Sequence, residues 1–168
     1  MHLVESDGVL SKELEDFINE AEDGFIYVSF GSIITISTIP SNVLQTFFEA
    51  LGSFSGIRFL WKWEGELPKG SPENILFKPW FPQNDVLAHK KIMGFISQGG
   101  QVSMQQAIFH GVPLIIMPVN GDQTFNAKRA KKVGNGIELE FHGITVKILK
   151  DAIQNLTQDK KYKNYFNL

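Results

Sequence analysis

Three short clusters in this 168-residue sequence combine small and polar residues in a way that could hold a charged ligand. They are Ser29-Phe30-Gly31-Ser32, Ser97-Gln98-Gly99-Gly100 and Asn120-Gly121-Asp122-Gln123. Each follows a short apolar run of strand type, and the second leads directly into a segment of helical pattern. Two adjacent glycines let backbone amides approach a ligand closely. A helix N-terminus adds free N–H groups and a partial positive charge. Gly99-Gly100 therefore suits a diphosphate; a tight strand-to-helix turn with no ligand is the plainer alternative. The glycines are followed by Gln101-Val102-Ser103, so the dinucleotide fingerprint G-x-G-x-x-G is absent, and no GKS or GKT marks a P-loop.

A fourth cluster is aromatic. Trp80 stands in KPWFPQND between Pro79 and Pro82. Prolines stiffen a loop and can present a ring to a nucleobase, and Gln83 just beyond could bond to base or ribose. Packing of Trp80 beneath the loop is the competing expectation. Trp61 and Trp63 alternate with Lys62 in a strand-like run and are expected in the core. His110 precedes Gly111 at an expected helix end, where capping of terminal carbonyls is its anticipated role, and His89 is similarly placed. The four histidines lack ligand spacing and there is no cysteine. Thiolate metal sites, disulfides and a cysteine nucleophile are therefore excluded, and no metal is expected.

Such groups need elements to position them. Ser11 and the following KELEDFINEAED read as a capped helix ending at Asp23-Gly24, with Leu14, Phe17, Ile18 and Ala21 at helical spacing. Strands are expected at 25–30, 57–63, 74–77, 94–97, 112–117 and 136–141. Helices are expected from Pro40 to Leu51, briefly from Asn84 to His89, at 101–110, 123–132 and 145–156, with a final short one at the end. Strands separated by helix-length segments indicate βαβ units and a parallel sheet. In such sheets ligands bind beyond the carboxyl ends of the strands, where the polar clusters fall.

Composition narrows the partners. Hydrophobic residues make up 43% and the formal net charge is −2, so no footprint for nucleic acid or an anionic membrane stands out. The lysines between Lys147 and Lys163 read as solvated helix faces. No apolar run reaches membrane-spanning length, and the start of the chain lacks the pattern of a signal peptide. The tripeptide Asn155-Leu156-Thr157 matches a glycan acceptor but is common by chance.

The spacing of these residues across the chain resembles the C-terminal domain of the UDP-glycosyltransferase family, the UDP-glucosyl and UDP-glucuronosyl transferases. W-x-P-Q-x-x-x-L-x-H is met by Trp80, Pro82, Gln83, Leu87 and His89. H-G-G-x-x-S-x-x-E-A is met in part by Gly99, Gly100, Ser103 and Ala107, and G-x-P by Gly111 and Pro113. D-Q-x-x-N is met by Asp122, Gln123 and Asn126, and S-x-G-S by Ser29 to Ser32. The family histidine is Gln98 here, a neutral donor; its glutamate is Gln106, with one acceptor oxygen and a donor amide.

The resemblance implies an α/β fold: a Rossmann-like parallel sheet with helices on both faces, forming the C-terminal half of a GT-B glycosyltransferase. Residues 1–168 would be the UDP-sugar-binding domain, with the acceptor domain and membrane anchor outside this chain. Trp80 would stack on uracil, and Gln83 would meet the ribose. Ser32 and the turn from Gln98 through Gly99 and Gly100 to Ser103 would hold the diphosphate. Gln106 would face the ribose hydroxyls, and Asp122 and Gln123 would bond to the transferred sugar. The parent enzyme would be an inverting, metal-independent transferase moving glucose or glucuronic acid to a small lipophilic acceptor. It would sit on the lumenal side of the endoplasmic reticulum membrane, with its general base in the missing half. A non-catalytic relative, acting as partner subunit or weak nucleotide binder, is the alternative. An NAD-dependent oxidoreductase would share the sheet, but its glycine fingerprint is lacking.

Overall fold

The computed structural model describes residues 6–31, 39–67, 69–159 and 162. Along the chain they form α1 (Lys12–Asn19), β1 (Gly24–Ser29), α2 (Ser41–Gly52), β2 (Ile57–Lys62), β3 (Ile75–Lys78) and α3 (Gln83–Ala88). Then come β4 (Ile92–Ser97), α4 (Gln101–Phe109), β5 (Leu114–Ile116), α5 (Asp122–Val133), β6 (Gly136–Glu138) and α6 (Val146–Gln158). The strands make one sheet in the order β3-β2-β1-β4-β5-β6, and every pairing in it is parallel. The order reverses between β1 and β4, which pair with each other although two strands separate them in sequence. That reversal is the topological switch point of a Rossmann-type sheet.

Alternation along the strands divides the core in two. Ile26, Val28, Phe59, Trp61, Ile96 and Ile115 face α2 and α6, which contribute Phe47, Phe48, Leu51, Leu149, Ile153 and Leu156. Phe25, Tyr27, Leu60, Phe95, Leu114 and Ile116 face the other way, against residues of α1, α3, α4 and α5 such as Ile18, Leu87, Met104 and Ala127. Successive side chains of a strand point to opposite faces, so a strand buried on both sides must be apolar throughout. β1 shows this, with all six of its residues buried.

The structure adjusts several expected boundaries. α1 stops at Asn19, and Gly24 opens β1 instead of closing a helix. Ser11 occupies the N-cap of α1 but makes no side-chain cap bond. β5 is shorter than its apolar run because Pro113 has no N–H to give the ladder. The flanking residues still join it: Phe95 N–H donates to Pro113 O and Met117 N–H to Ser97 O. β6 ends at Glu138, with Leu139 N–H bonded to Ile116 O. The short helix expected at the end lies outside the described residues. Thr157, in the glycan-acceptor tripeptide, is buried in α6 and donates its hydroxyl proton to Ile153 O at 2.9 Å.

Trp61 and Trp63 are core residues, as their alternation with Lys62 predicts. Trp61 is enclosed by Phe47, Phe48, Trp63 and Phe77, with ring centroids 5.4–6.2 Å away. Its indole N–H is buried without a partner. Trp61→Ala is expected to cost about 3–5 kcal/mol of stability. Trp61→Phe should cost much less, because it also removes an unpaired buried donor worth about 1–3 kcal/mol. Urea unfolding of both variants checks this, and equal losses would refute it.

Candidate functional site

β1 and β4 run side by side to their last residues, where Ser29 pairs with Ser97. Beyond that register the two chains make the same turn. Ser29 Oγ accepts from Gly31 N–H at 3.4 Å, and Ser97 Oγ accepts from Gly99 N–H at 3.2 Å. Gly31 and Gly99 have φ of +77° and +87°, a conformation that L side chains rarely adopt. Ser97 Oγ also donates to Gln98 Oε1 at 3.2 Å. This turns the Gln98 amide nitrogen into the crevice, where a Cβ on Gly31 would stand only 2.3 Å from it. Gln98 is almost wholly buried there.

Gly100 is the N-cap of α4 and no side chain caps the helix. Its first-turn amides and positive end are thus presented beside Gln98, an arrangement suited to an anion. Asn126 of α5 donates to Gly99 O at 2.9 Å, tying the glycine turn to the start of the next helix.

A cavity of about 520 Å³ opens from this crevice, lined in part by Gly31, Trp80, Gln83, Val102 and Gln106. Trp80 is 69% exposed and belongs to the wall, which rules out packing beneath its loop. The next residue anchors that loop. Phe81 is buried edge-on against Tyr27 at 5.7 Å, and Tyr27 stacks on Phe95 at 5.0 Å. Gln83 opens α3 and reaches α4: its Nε2 donates to Gln106 Oε1 at 2.7 Å and to Ser103 Oγ at 3.2 Å.

Of the expected site residues, Trp80, Gln83 and Gln106 line this cavity. Ser103 is joined to Gln83 and Gln98 lies against Gly31 and Gly100, but Gln98, Gly99, Gly100 and Ser103 are not themselves among its lining residues. Ser32 lies outside the described residues. Asp122 and Gln123 begin α5 and are not among the cavity's lining residues. Gln123 is buried, and its Oε1 accepts from Val119 and Asn120 N–H at 2.9 and 3.3 Å, which shapes the β5–α5 loop.

Sequence inspection passed over Tyr27, Lys62, Asn84 and Asp85, which also line the cavity. Tyr27 and Lys62 lie on strands that read as core, and only the register of β1 and β2 aims them here. Burial pushes the Tyr27 hydroxyl up to about 12, partly offset by its hydrogen bond with Ser29, so it stays protonated. Lys62 pairs with Glu64 at 3.1 Å, and Asp85 accepts from Ser6 Oγ at 2.6 Å. A second cavity of about 510 Å³ is lined, among the described residues, mainly by apolar groups such as Ile39, Val43, Val119 and Phe141, with Asn42 and His142 its polar side chains.

His110 does not cap α4 with its ring. Its backbone N–H closes the helix onto Gln106 O, while Nε2 donates to Asn84 Oδ1 at 2.9 Å. Two side-chain rungs, Gln83–Gln106 and Asn84–His110, therefore lace α3 to α4. His89 is buried, with Nε2 3.4 Å from Glu15 and Nδ1 accepting from Lys91 N–H.

A crevice at the switch point of a parallel sheet, beyond the carboxyl ends of its strands, is where ligands bind in doubly wound α/β domains. The family model described as UDP-glucoronosyl and UDP-glucosyl transferase matches residues 3–167, and the chain belongs to that family. It is 38% identical to UDP-glycosyltransferase UGT5 of Dactylopius coccus over 95% of this chain and 30% of that protein. It is 36% identical to UDP-glucuronosyltransferase 1A8 of Rattus norvegicus over 92% of this chain and 29% of that protein. The chain thus spans under a third of the curated relatives it matches. Among solved structures, Os79 from O. sativa in complex with UDP and deoxynivalenol-3-glucoside is similar with a TM-score of 0.78 and 26% identity. That match covers 95% of this chain and 40% of Os79. Spinosyn forosaminyltransferase SpnP shares the fold, with a TM-score of 0.79 at 16% identity over 95% of this chain and 40% of its own. The architecture is that of the GT-B glycosyltransferases.

The Asn84–His110 rung carries a pH dependence. Burial lowers the His110 pKa below its ordinary 6.5, against a smaller opposing effect of Asp85. As pH falls through about 6.5 the unfolded imidazole takes its proton first, so this contribution to stability shrinks until pH passes the native pKa. His110→Gln keeps a donor for Asn84 without titrating. The gap in urea midpoint between wild type and this variant should be constant above about pH 7 and shift below about pH 6. A gap equal at about pH 5 and about pH 8 refutes it.

Proposed function

We propose that this chain is the UDP-sugar-binding domain of an inverting glycosyltransferase that passes a hexose, glucose or glucuronic acid, to small lipophilic acceptors. The observation that carries it is one cavity lined by Trp80, Gln83, Gln106 and Val102, the last of these in the first turn of α4, whose start carries no side-chain cap. Uracil would stack on Trp80. The diphosphate would lie against the α4 amides, the Gln98 amide and Ser103. The ribose would fall between them, at Gln83 and Gln106. Electrostatic stabilisation of the departing UDP by helix dipole and amides is the part of catalysis such a domain can supply, without a metal.

Asp122, Gln123 and Ser32 would contact the donor's sugar and phosphates. Gln123 would use its amide nitrogen, because its oxygen accepts from the loop amides. Relatives named as glucosyl and glucuronosyl transferases support the class of sugar. The structure of Os79 with UDP and a glucoside supports the donor. The acceptor pocket and general base would come from an N-terminal domain, and the parent would lie at the endoplasmic reticulum membrane. No helix among the described residues is long and apolar enough to cross one. Gln98 and Gln106 also support a second reading, a non-catalytic relative that binds nucleotide weakly. Turnover of UDP-sugars by the full-length parent would dismiss it.

Two measurements test the proposal. Trp80→Ala should weaken UDP binding by about 1–3 kcal/mol in calorimetric titration while the fold persists, since the ring is largely exposed. Unchanged affinity would reassign the tryptophan. The 168-residue chain alone should transfer no sugar from UDP-glucose or UDP-glucuronic acid. Product formed by the purified chain would overturn the placing of the base elsewhere.

A further inference from the structure

The amide pair in the middle of the cavity bears on which pentose the site can distinguish, given the donor-site reading above. A primary amide carries one acceptor oxygen and two N–H donors. Gln83 Nε2 donates to Gln106 Oε1 at 2.7 Å and to Ser103 Oγ at 3.2 Å. The oxygen of Gln106 is therefore turned to Gln83, and what Gln106 offers a ligand is its Nε2, a donor. The acceptors left to the pair, Gln83 Oε1 and the second lone pair of Gln106 Oε1, are both neutral.

Among the described residues, the two charged groups of the cavity wall each have a partner of their own. Lys62 pairs with Glu64. Asp85, about 200° round α3 from Gln83, accepts from Ser6 Oγ at 2.6 Å. With a base on Trp80 and a diphosphate at the start of α4, the pentose lies against Gln83 and Gln106. A pentose hydroxyl is strongly selected when it donates to a charged acceptor and only weakly when it meets neutral amides.

We propose that this site reads the pentose through neutral amides alone. It would then accept a 2′-deoxyribonucleoside diphosphate nearly as well as the ribonucleotide. The Gln83–Gln106 bond is the specificity-determining feature, because it turns the one oxygen of residue 106 toward Gln83 and leaves only neutral acceptors for a hydroxyl.

The test is calorimetric titration of the 168-residue chain with UDP and with dUDP, in wild type and in Gln106→Glu. In wild type, dUDP should bind within about tenfold of UDP, the range of one neutral hydrogen bond. In Gln106→Glu one carboxylate oxygen still accepts from Gln83 and the other faces the pentose, so the preference for UDP should widen by roughly a further tenfold. Tight UDP binding with dUDP weaker than that range in wild type overturns the proposal alone; it would mean that a charged acceptor reaches the pentose, Asp85 being the carboxylate on the described cavity wall. A folded Gln106→Glu variant with an unchanged ratio overturns it as well. Saturable binding of neither nucleotide overturns the donor-site reading itself, and this proposal with it.

Discussion

Two hydroxyl-to-amide bonds govern the layout of this domain. Ser29 and Ser97 stand opposite each other at the ends of neighbouring parallel strands, and each accepts from the glycine N–H two residues on. From those turns the chains part. The one leaving β1 leads on to α2, and the one leaving β4 enters α4 on the opposite face of the sheet. The crevice exists because adjacent strands send their continuations to opposite sides. Glycine at positions 31 and 99 is needed because the turn takes positive φ, and at Gly31 also because the Gln98 side chain fills the space a Cβ would occupy.

Once the crevice is set, its walls follow from packing. Tyr27 holds Phe81 edge-on and so fixes the loop that exposes Trp80. The rungs between α3 and α4 hold Gln83 and Gln106 in one orientation before any ligand arrives. Rotamers already fixed cost little to order on binding, so even neutral contacts there can contribute usefully. At the proposed phosphate end the described groups are neutral too, namely backbone amides, the helix start and the Gln98 amide. A diphosphate bound there would be attracted by these aligned dipoles.

Much of the fold was legible in the sequence because β1 and β4 are nearly unbroken apolar runs of the kind a doubly covered parallel strand requires, and β2 buries four apolar residues of its six. The glycine clusters were legible for the same reason that they work: few other residues tolerate their turns. Boundaries slipped where apolar composition outlasted hydrogen bonding, as at β5 beside Pro113 and at β6 after Glu138. Ser11 has the right residue type for a cap, yet its hydroxyl does not make the bond. The bond from His110 to Asn84 spans 26 positions, and nothing in local spacing encodes it. Tyr27 and Lys62 were hidden because a strand residue at the carboxyl edge of a sheet looks like any core or surface residue until its register is known. The part played by Gln123 in shaping its own loop was hidden behind a motif that draws attention to ligand contact.

The three tryptophans are distributed in a way that has an optical consequence. Trp61 and Trp63 are enclosed in an aromatic nest, where an indole emits at short wavelength and is shielded from solutes. Trp80 alone faces water, at the mouth of the cavity. The red edge of the intrinsic emission therefore belongs to one ring, and the blue edge to the core. An aqueous quencher would dim the first and spare the second, and a stacked base would shelter the first. Occupancy of the cavity and integrity of the core can thus be followed in one spectrum, with no label added.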